Sequence, residues 1–315
     1  MPLVISVPSK SFFVGEYSAL NGGPAITVAT APRFELKVRT GAGWLSGINK
    51  DSPAEKLIKK NPLFFNQFDL EFMDPHLGRG GWGASTAQFL ACYALMHWKE
   101  TQATQAENQL IDKLEIPHML DTYKQVAWDG QGIPPSGADL VGQLKGGFTF
   151  FDKRKGIINS LSWSFNDLEF YLIPTGQKVA THEHLQQLKT FNTDQLESYV
   201  QQIQVAFSSN NPLALVEGIH HISKELESRQ WVFEKTKDYL QTLNAIPGVL
   251  ASKGCGALGA DVVLAIVEKS KSVLFEALLK DDNRAYFSRH HITKGLEISG
   301  HFELRTEPFN SGILP

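Results

Sequence analysis

The most constraining feature of the sequence is a long apolar segment that directly follows a cluster of glycines. The segment STAQFLACYALMHW, from Ser85 to Trp98, is apolar on nearly every side of a helical projection. A helix of this kind is buried on most of its surface, because an exposed helix needs a polar face. The pattern therefore predicts a helix inside the core of a domain, entered through a glycine-rich loop.

The loop before this helix contains Gly78, Gly80, Gly81 and Gly83. Glycine lets the backbone approach a ligand closely, and a helix N-terminus offers unpaired N–H groups and the positive end of its dipole. Together these features predict a phosphate cradle, in which the Ser85 hydroxyl caps the helix or binds Mg²⁺. A plain tight turn explains the loop equally well, since it is neither a Walker A motif nor a dinucleotide fingerprint.

The rest of the chain alternates β-rich runs with helical segments, which predicts an α+β fold. Strands are predicted at Leu3–Val7, Ser11–Gly15, Ala25–Ala29, Phe34–Thr40, Gly147–Phe151, Ile157–Trp163, Leu168–Ile173, Gly248–Ser252 and Val262–Val267. The region from His182 to Asn244 is helix-rich. We place the domain junction near the middle of the chain, with domains at residues 1–165 and 166–315.

The opening motif, PSKSFFVGEYSALNGGPAI, places charged residues in an otherwise apolar N-terminal hairpin. Lys10 follows a proline and a serine at the entrance of a strand, and Glu16 lies between Gly15 and Tyr17. The turn formers that follow return the chain into a second apolar strand. The plain interpretation is a hairpin with a polar rim, and the functional one is a wall of a phosphoryl-transfer cleft.

A carboxylate follows two prolines in the segment IPPSGADLVGQLKGG. Asp139 in this position is ordinarily an N-cap or first-turn residue, which stabilises a helix by about 1 kcal/mol. The functional alternative is a carboxylate that faces Lys10 and takes a proton from an acceptor hydroxyl or orients it. Upstream, Asp129 in AWDGQG is a candidate metal-binding carboxylate.

A third glycine-rich turn occurs in SKGCGALGADVVLAIV, where Gly254, Gly256 and Gly259 lie between two predicted strands. Asp261 stands at the start of the second strand. Glycine turns between strands are common, so this motif alone establishes no activity.

The bulk composition excludes several classes of partner. With 30 basic and 33 acidic residues the formal net charge is −3, so no overall basic field exists to bind nucleic acid or an anionic membrane. Cys92 and Cys255 are far apart and form neither a disulfide framework nor a zinc pattern, which fits a reducing cytoplasm. The sequence contains no signal-peptide pattern and no membrane-spanning apolar run, so we expect a cytoplasmic protein.

Taken in order, the opening motif and the glycine motifs resemble those of the GHMP kinases, named after galactokinase, homoserine kinase, mevalonate kinase and phosphomevalonate kinase. The family's Pro-Gly-Lys and Gly-Glu-His or Gly-Glu-Tyr are matched by PSKSFFVGEY, with Ser9 in place of the glycine. Its Gly-Leu-Gly-Ser-Ser-Ala-Ala loop is matched by GWGASTA, with Trp82 for the leucine and Ala84 for the first serine. Its third motif is matched by GCGALGAD, so the resemblance spans most of the chain.

The resemblance implies a two-domain GHMP kinase fold, with an N-terminal ribosomal-S5-domain-2-like α/β domain and a C-terminal ferredoxin-like α/β domain. It also implies that ATP and Mg²⁺ bind between the domains. The residues that match the nucleotide-binding positions are Gly80, Gly81, Gly83, Ala84, Ser85, Thr86, Gly254 and Gly256. Ser85 and Asp129 are the implied Mg²⁺ ligands, and Lys10 and Asp139 are the implied catalytic pair.

Two motifs bear on the phosphoryl acceptor. The PSGAD segment at Asp139 resembles mevalonate kinases, whereas Gly-Glu-Tyr at Glu16 is closer to phosphomevalonate kinases. A carboxylate base beside a lysine suits transfer to an alcohol, because a phosphate acceptor is already anionic and needs mainly cations. We predict an ATP-dependent kinase of isoprenoid precursor synthesis. Its substrate is expected to be an acidic alcohol, mevalonate, or the phosphate of that alcohol. For the assembly, a homodimer is considered beside a monomer.

The departures from the family motifs favour one alternative. We expect Trp82 to narrow or restack the pocket near the nucleotide, and Ala84 removes a hydroxyl that the family offers to phosphate. Thr86 brings a hydroxyl to this loop, although a helical threonine ordinarily bonds its own backbone. The alternative hypothesis is a non-catalytic protein that kept the fold and a small-molecule pocket.

Overall fold

The structure, a computed structural model, describes residues 2–101, 114–176 and 192–300. These residues form two β-sheets with helices packed against them. The predicted α+β class is therefore confirmed.

The first sheet is organised around a strand of 17 residues. Its strands are β1 (Leu3–Val14), β2 (Pro24–Thr40), β3 (Leu45–Ser46), β4 (Phe68–Met73), β5 (Phe148–Asp152), β6 (Ile157–Leu161) and β11 (Glu297–Ser299). The order is β11-β1-β2-β4-β3, with β5 paired to β2 and to β6. Because β2 is long, its beginning pairs with β5 and its end with β4, while β1 runs along the opposite edge.

Each of the first two strands joins two elements that the sequence predicted as separate. The sequence predicted that the strands break at the prolines, but the structure has a β-bulge there. Pro8 pairs with Arg33, and Ser9, the next residue of β1, pairs with Thr30. Two residues of β2 are thereby left unpaired, which bends the ladder without ending it. The opening motif continues past this bulge as regular strand, and Lys10 pairs with Ala29 in the middle of β1.

The second sheet carries the third glycine motif. Its strands are β7 (Leu168–Pro174), β8 (Val249–Cys255), β9 (Val262–Glu268) and β10 (Phe287–Ser288), in the order β10-β7-β9-β8. All of its pairings are antiparallel. The three longer strands confirm the predicted ones to within a few residues. Of the predicted glycines, Gly254 lies within β8, and the turn from β8 to β9 contains Gly256 and Gly259.

The helices pack on these sheets. They are α1 (Pro53–Lys60), α2 (Pro62–Phe65), α3 (Ala84–Thr101), α4 (Ile116–Ala127), α5 (Ala138–Lys145), α6 (Asp194–Ser209), α7 (Pro212–Ser228), α8 (Glu234–Asn244) and α9 (Ser272–Asp281). The prediction of a helix-rich region is confirmed from residue 192 to Asn244, and its first part lies outside the described residues.

Helix α3 is the buried helix that the sequence predicted. Every residue from Thr86 to Leu95 is buried, and the helix packs against α1, α5, β1 and β2. Each fully buried Leu or Phe contributes about 1.5–3 kcal/mol of hydrophobic free energy, so the helix is firmly anchored in the core. Its N-terminus, which follows the glycine loop, is thereby held in a fixed position.

The two sheets divide the chain close to the predicted junction, with one exception. Strands up to Leu161 belong to the first sheet and those from Leu168 to Ser288 to the second, whereas β11 returns to pair with Val4–Ser6 of the first. The division into residues 1–165 and 166–315 stays a prediction. Among the described helices, none is long and apolar enough to cross a membrane.

Candidate active site

A cleft of about 240 Å³ lies where the first sheet, helix α5 and the β8–β9 turn meet. The opening motif contributes Lys10 and Glu16 to its walls, and the glycine loop contributes Gly81. Helix α5 contributes Asp139, and the β8–β9 turn contributes Gly256. The segments that the sequence singled out separately therefore meet at one place.

The centre of the cleft is an ion pair between the two predicted catalytic residues. Lys10 Nζ lies 2.6 Å from Asp139 Oδ1. The lysine side chain is 8% exposed and the aspartate side chain 29% exposed, so the pair is shielded but still open to the cleft. The Lys10 ammonium also lies 4.7 Å from the centre of the Phe12 ring. The predicted contact between these two charges is thus present.

Asp139 is placed by the turn that begins α5. Gly137 precedes the helix with a φ of +81°, and Asp139 is in the first helical turn. Gly137 is the N-cap, so of the two plain expectations for Asp139, N-cap or first-turn residue, the structure shows the second. The carboxylate extends to Lys10, while it still benefits from the positive end of the helix dipole.

The glycine loop passes so close to the cleft residues that side chains are excluded. A Cβ on Gly83 would lie 2.9 Å from Lys10 Cε, and a Cβ on Gly81 would lie 2.7 Å from Asp261 Cβ. Both glycines have positive φ, +80° and +88°, which L side chains rarely adopt. The loop is also joined to β1, because the Lys10 N–H donates to the Trp82 carbonyl over 3.0 Å.

Helix α3 is tied to α5 behind the loop by a buried amide that the sequence did not single out. Gln143 Nε2 donates to the Pro8 carbonyl over 2.9 Å, and Gln143 Oε1 lies 2.7 Å from the Thr86 hydroxyl. The same hydroxyl lies 2.9 Å from the Gly83 carbonyl, so its single hydrogen is shared between Gln143 Oε1 and the helix's own backbone. Glutamine on a short helix carries no functional signal in the sequence, and only the packing reveals its role.

The predicted nucleotide-binding residues divide into two groups. Those that line the cleft are Gly81, Thr86 and Gly256. Those outside the set of cleft-lining residues are Gly80, Gly83, Ala84, Ser85 and Gly254. Gly254 lies in β8 and packs against the turn, because a Cβ on it would lie 2.6 Å from the Gly259 Cα. Ser85 is exposed in the first turn of α3.

The predicted metal-binding carboxylate lies elsewhere. Asp129 is exposed, and its Oδ1 accepts the backbone N–H of Gln131 over 2.9 Å. Asp129 is not among the cleft-lining residues, whereas Asp261 is. In the described part of the chain, no group of three or more His, Cys, Asp or Glu side chains is arranged to hold a metal ion without help from a ligand.

A buried ion pair beside the cleft joins the opening motif to the second sheet. Lys253 Nζ on β8 lies 2.9 Å from Glu16 Oε1, and their side chains are 0% and 7% exposed. The ammonium also lies 3.4 Å from the Phe13 carbonyl and 3.5 Å from Cys255 Sγ. Burial raises the pKa of the Cys255 thiol to about 11 despite the nearby ammonium, so the thiol is protonated at neutral pH. Lys253 is visible in the sequence as a lone charge before the third glycine turn, but its partner is not.

A second link between the sheets lies beside this pair. The Tyr17 hydroxyl accepts the backbone N–H of Leu258 over 3.1 Å, and its ring stacks on Trp231 with centroids 4.5 Å apart. Burial raises the pKa of Tyr17 above its ordinary value, so the phenol stays neutral. The opening motif is therefore held to the second sheet through both of its distinctive residues, Glu16 and Tyr17.

Trp82 does not line the cleft, contrary to the expectation from its place in the loop. Its side chain is 1% exposed and packs against His76 and Phe287, with ring centroids 5.0 and 4.5 Å apart. Only the Trp82 backbone faces Lys10. The indole therefore neither narrows nor restacks the cleft.

Comparison with known proteins gives structural matches only. No family model matches the sequence, and no curated protein matches it. Solved structures match over nearly the whole chain: Streptococcus pneumoniae phosphomevalonate kinase in complex with phosphomevalonate and AMPPNP has a TM-score of 0.69 at 15% identity, covering 90% of this chain and 99% of that one. Methanococcus jannaschii mevalonate kinase has a TM-score of 0.62 at 13% identity, covering 94% and 98%.

Lactococcus lactis galactokinase complexed with galactose is similar too, with a TM-score of 0.68 at 12% identity, covering 93% of this chain and 94% of that one. The names of these three kinases indicate different phosphoryl acceptors, but the three proteins share one fold. The chain therefore has the two-domain GHMP kinase fold, as the motifs predicted.

Proposed function

We propose that this protein is an ATP-dependent kinase that transfers the γ-phosphoryl group to the hydroxyl of a small molecule. The observation that carries the proposal is the contact of Lys10 with Asp139 beside a glycine loop and a helix N-terminus. An ammonium, a carboxylate and an anion-binding loop are groups that assist phosphoryl transfer to an alcohol.

The nucleotide phosphates are assigned to the glycine loop. The first helical hydrogen bond of α3 runs from Ala87 N–H to the Gly83 carbonyl, so the N–H groups before Ala87 lie outside the helical ladder. These amides and the helix dipole attract phosphate oxygens. The lack of side chains at Gly81 and Gly83 leaves the backbone open to a close approach, and Gly256 borders the same space.

Mg²⁺ usually takes one or two protein carboxylates and completes its shell with water and substrate phosphates, so the donor set of the cleft fits a Mg²⁺–nucleotide complex. When bound, the ion would neutralise phosphate charge. Ser85 and Asp129 are the ligands that the sequence suggested. Asp261 is a third candidate, because its side chain reaches the cleft beside Gly81 and Gly256. Comparison of Asp261→Asn with Asp129→Asn in a Mg²⁺ titration of activity separates these candidates.

The chemistry of the transfer follows from the ion pair. Asp139 accepts the proton of the acceptor hydroxyl, or orients that hydroxyl, as the oxygen attacks phosphorus. Lys10 stabilises the negative charge that develops on the phosphoryl oxygens. Placement and electrostatics supply most of the rate, since phosphoryl transfer asks little covalent chemistry of the protein.

The acceptor is proposed to be an acidic alcohol of the mevalonate type, or its phosphate. The cleft is also lined by Phe12, Leu20, Tyr123 and Pro135, whose apolar surface suits the carbon skeleton of a small branched molecule. Phosphomevalonate and galactose in the neighbouring structures mark the range of acceptors that this fold takes. A panel assay of ATP with mevalonate, phosphomevalonate, galactose and homoserine tests the assignment, and phosphorylation of galactose alone would overturn it.

Substitution of the carboxylate tests the mechanism. Asp139→Ala is expected to lower turnover by a factor of about 10²–10⁴, the range typical of a general base, while ATP binding is retained. Calorimetry with Mg-ATP and the unfolding midpoint serve as controls for binding and folding. If turnover is unchanged, Asp139 has no part in the reaction.

The alternative, a non-catalytic binding protein, rests on the replaced motif residues. Ser9 and Trp82 are buried away from the cleft, so these two replacements do not obstruct it. This placement favours the kinase. Titration with Mg-ATP decides between the two, because a lack of binding at millimolar nucleotide would favour the alternative.

A further inference from the structure

Two residues that depart from the kinase motifs contact the same side chain. Ser9 Oγ lies 2.6 Å from Nε2 of His76. On its face, the His76 ring stacks on the Trp82 indole, with centroids 5.0 Å apart and planes 12° apart. The opening motif and the glycine loop, which are far apart in sequence, are therefore joined through one buried histidine.

The direction of the hydrogen bond follows from the surroundings of Ser9. Its hydroxyl lies 2.5 Å from the Pro32 carbonyl, which can only accept. The single hydroxyl hydrogen is therefore donated to Pro32, and Ser9 Oγ accepts the N–H of His76 Nε2. Burial lowers the pKa of His76, which favours a neutral ring, and the contact with Ser9 Oγ places the ring hydrogen on Nε2. The tautomer of His76 is thus set by β1 and β2.

His76 itself is held from the other side. Its backbone N–H donates to Asp74 Oδ1 over 2.8 Å, and Asp74 Oδ2 accepts the N–H of Gly78 over 2.9 Å. The ring also packs against Phe34 and Phe287, with centroids 5.6 and 6.0 Å away. The ring therefore has little freedom to follow the loop if the loop moves.

These contacts close a ring of interactions around the phosphate loop. Lys10 N–H bonds the Trp82 carbonyl, the Trp82 indole stacks on His76, and His76 bonds Ser9, the residue next to Lys10. At the next loop residue, Gly83, an added Cβ would lie 2.9 Å from Lys10 Cε, so the loop backbone passes close to the Lys10 side chain. The distance between the loop backbone and the Lys10 side chain is thus fixed by the histidine as well as by the backbone bond.

We propose that His76 is a positioning residue that holds the glycine loop in register with Lys10, so that the terminal phosphate of the nucleotide meets the ammonium. The inference rests on the proposed kinase function. A residue that only fills the core would affect folding but not the binding of one particular phosphate. This difference distinguishes the proposed role of His76 from core filling. Ser9 and Trp82, which replace the glycine and the leucine of the family motifs, then both act through their contacts with His76.

The test measures the binding of Mg-AMPPNP and Mg-ADP by calorimetry. His76→Phe keeps a ring against Trp82 and removes the bond to Ser9, whereas His76→Gln keeps an N–H near the Nε2 position. We expect His76→Phe to weaken AMPPNP binding about tenfold, the loss typical of one misaligned charged hydrogen bond, with ADP affinity within about twofold of wild type. His76→Gln is expected to recover at least about a third of the wild-type AMPPNP affinity.

Ser9→Ala removes the other partner of the same bond and tests the proposal even if His76→Phe does not fold. Ser9→Ala should reproduce the AMPPNP loss, and the double variant should bind no more weakly than the weaker single variant. His221→Phe, which alters a histidine stacked on Tyr199 away from the cleft, is the matched control. The proposal is overturned if AMPPNP affinity is unchanged in both His76→Phe and Ser9→Ala, or if their ADP affinity falls as much as their AMPPNP affinity. It is also overturned if the two losses of AMPPNP affinity multiply in the double variant. Wild-type protein that binds neither nucleotide would overturn the kinase function as well.

Discussion

Replacement of Lys253 by methionine should destabilise the protein more than replacement of a partly exposed lysine. Lys253→Met leaves the Glu16 carboxylate, 7% exposed, without the ammonium that lies 2.9 Å from it. Removal of one partner of a buried ion pair costs about 3–5 kcal/mol, because the remaining charge stays desolvated. The free energy of unfolding should fall by this amount.

The double variant Glu16→Met with Lys253→Met separates the pair from the packing. Replacement of both charges by apolar side chains of similar length is often close to neutral, so the double variant should recover at least about 2 kcal/mol relative to Lys253→Met. A gain of stability on adding a second mutation is not expected from lost packing alone. The comparison therefore measures the cost of the unpaired carboxylate.

Urea unfolding followed by circular dichroism is the assay. With a slope of about 3 kcal/mol per M, Lys253→Met should lower the midpoint by about 1–1.7 M. Lys269→Met is the control, because Lys269 is 39% exposed and its partner Glu169 keeps a second contact with Arg289 at 3.0 Å. The control should lose about 1 kcal/mol or less. The reasoning is refuted if both lysine variants shift the midpoint equally, or if the double variant is less stable than Lys253→Met.

Two further predictions concern the glycine loop and the thiol. Gly83→Ala should weaken Mg-ATP binding at least about tenfold, because the new Cβ would lie 2.9 Å from Lys10 Cε. Gly147 also has a positive φ, but the space around it is open. Gly147→Ala should therefore lose only about 1–2 kcal/mol of stability and bind Mg-ATP normally. Calorimetry checks both, and equal losses of affinity would contradict the close-approach argument. Because burial raises the pKa of Cys255 to about 11, its rate of alkylation by iodoacetamide should rise about tenfold per pH unit from pH 7 to 9. A plateau near pH 8.5, measured by mass spectrometry of the labelled peptide, would show an ordinary thiol instead.

The sequence allowed the main elements of the site to be predicted because its special residues carry strong local signals. Glycines before an all-round apolar helix indicate a loop that approaches a ligand, and the order of the motifs brought Lys10 and Asp139 together. Each motif alone has a plain structural explanation, so both expectations depended on the resemblance of the ordered motifs to those of the GHMP kinases. The helix α3 and the second sheet were predictable for the same reason, since their apolar runs are long and clearly bounded.

What could not be predicted are the pairings between ordinary residues. Gln143 and His76 have no motif of their own, and their roles arise from contacts across the fold. The prediction that the Trp82 indole lies near the nucleotide pocket was wrong, because the sequence gives the position of Trp82 in the loop but not the direction of its side chain. The first strands were predicted as shorter because a proline normally ends a strand, whereas here a bulge accommodates it.

The return of β11 to the first sheet has a consequence for the order of folding. Residues Val4–Ser6 near the chain's beginning pair on one side with β2 and on the other with Glu297–Ser299. During synthesis β11 emerges long after β2, so one edge of β1 stays uncovered while all the elements between β2 and β11 are made. We therefore expect nascent chains to depend on a holdase more than purified protein does during refolding.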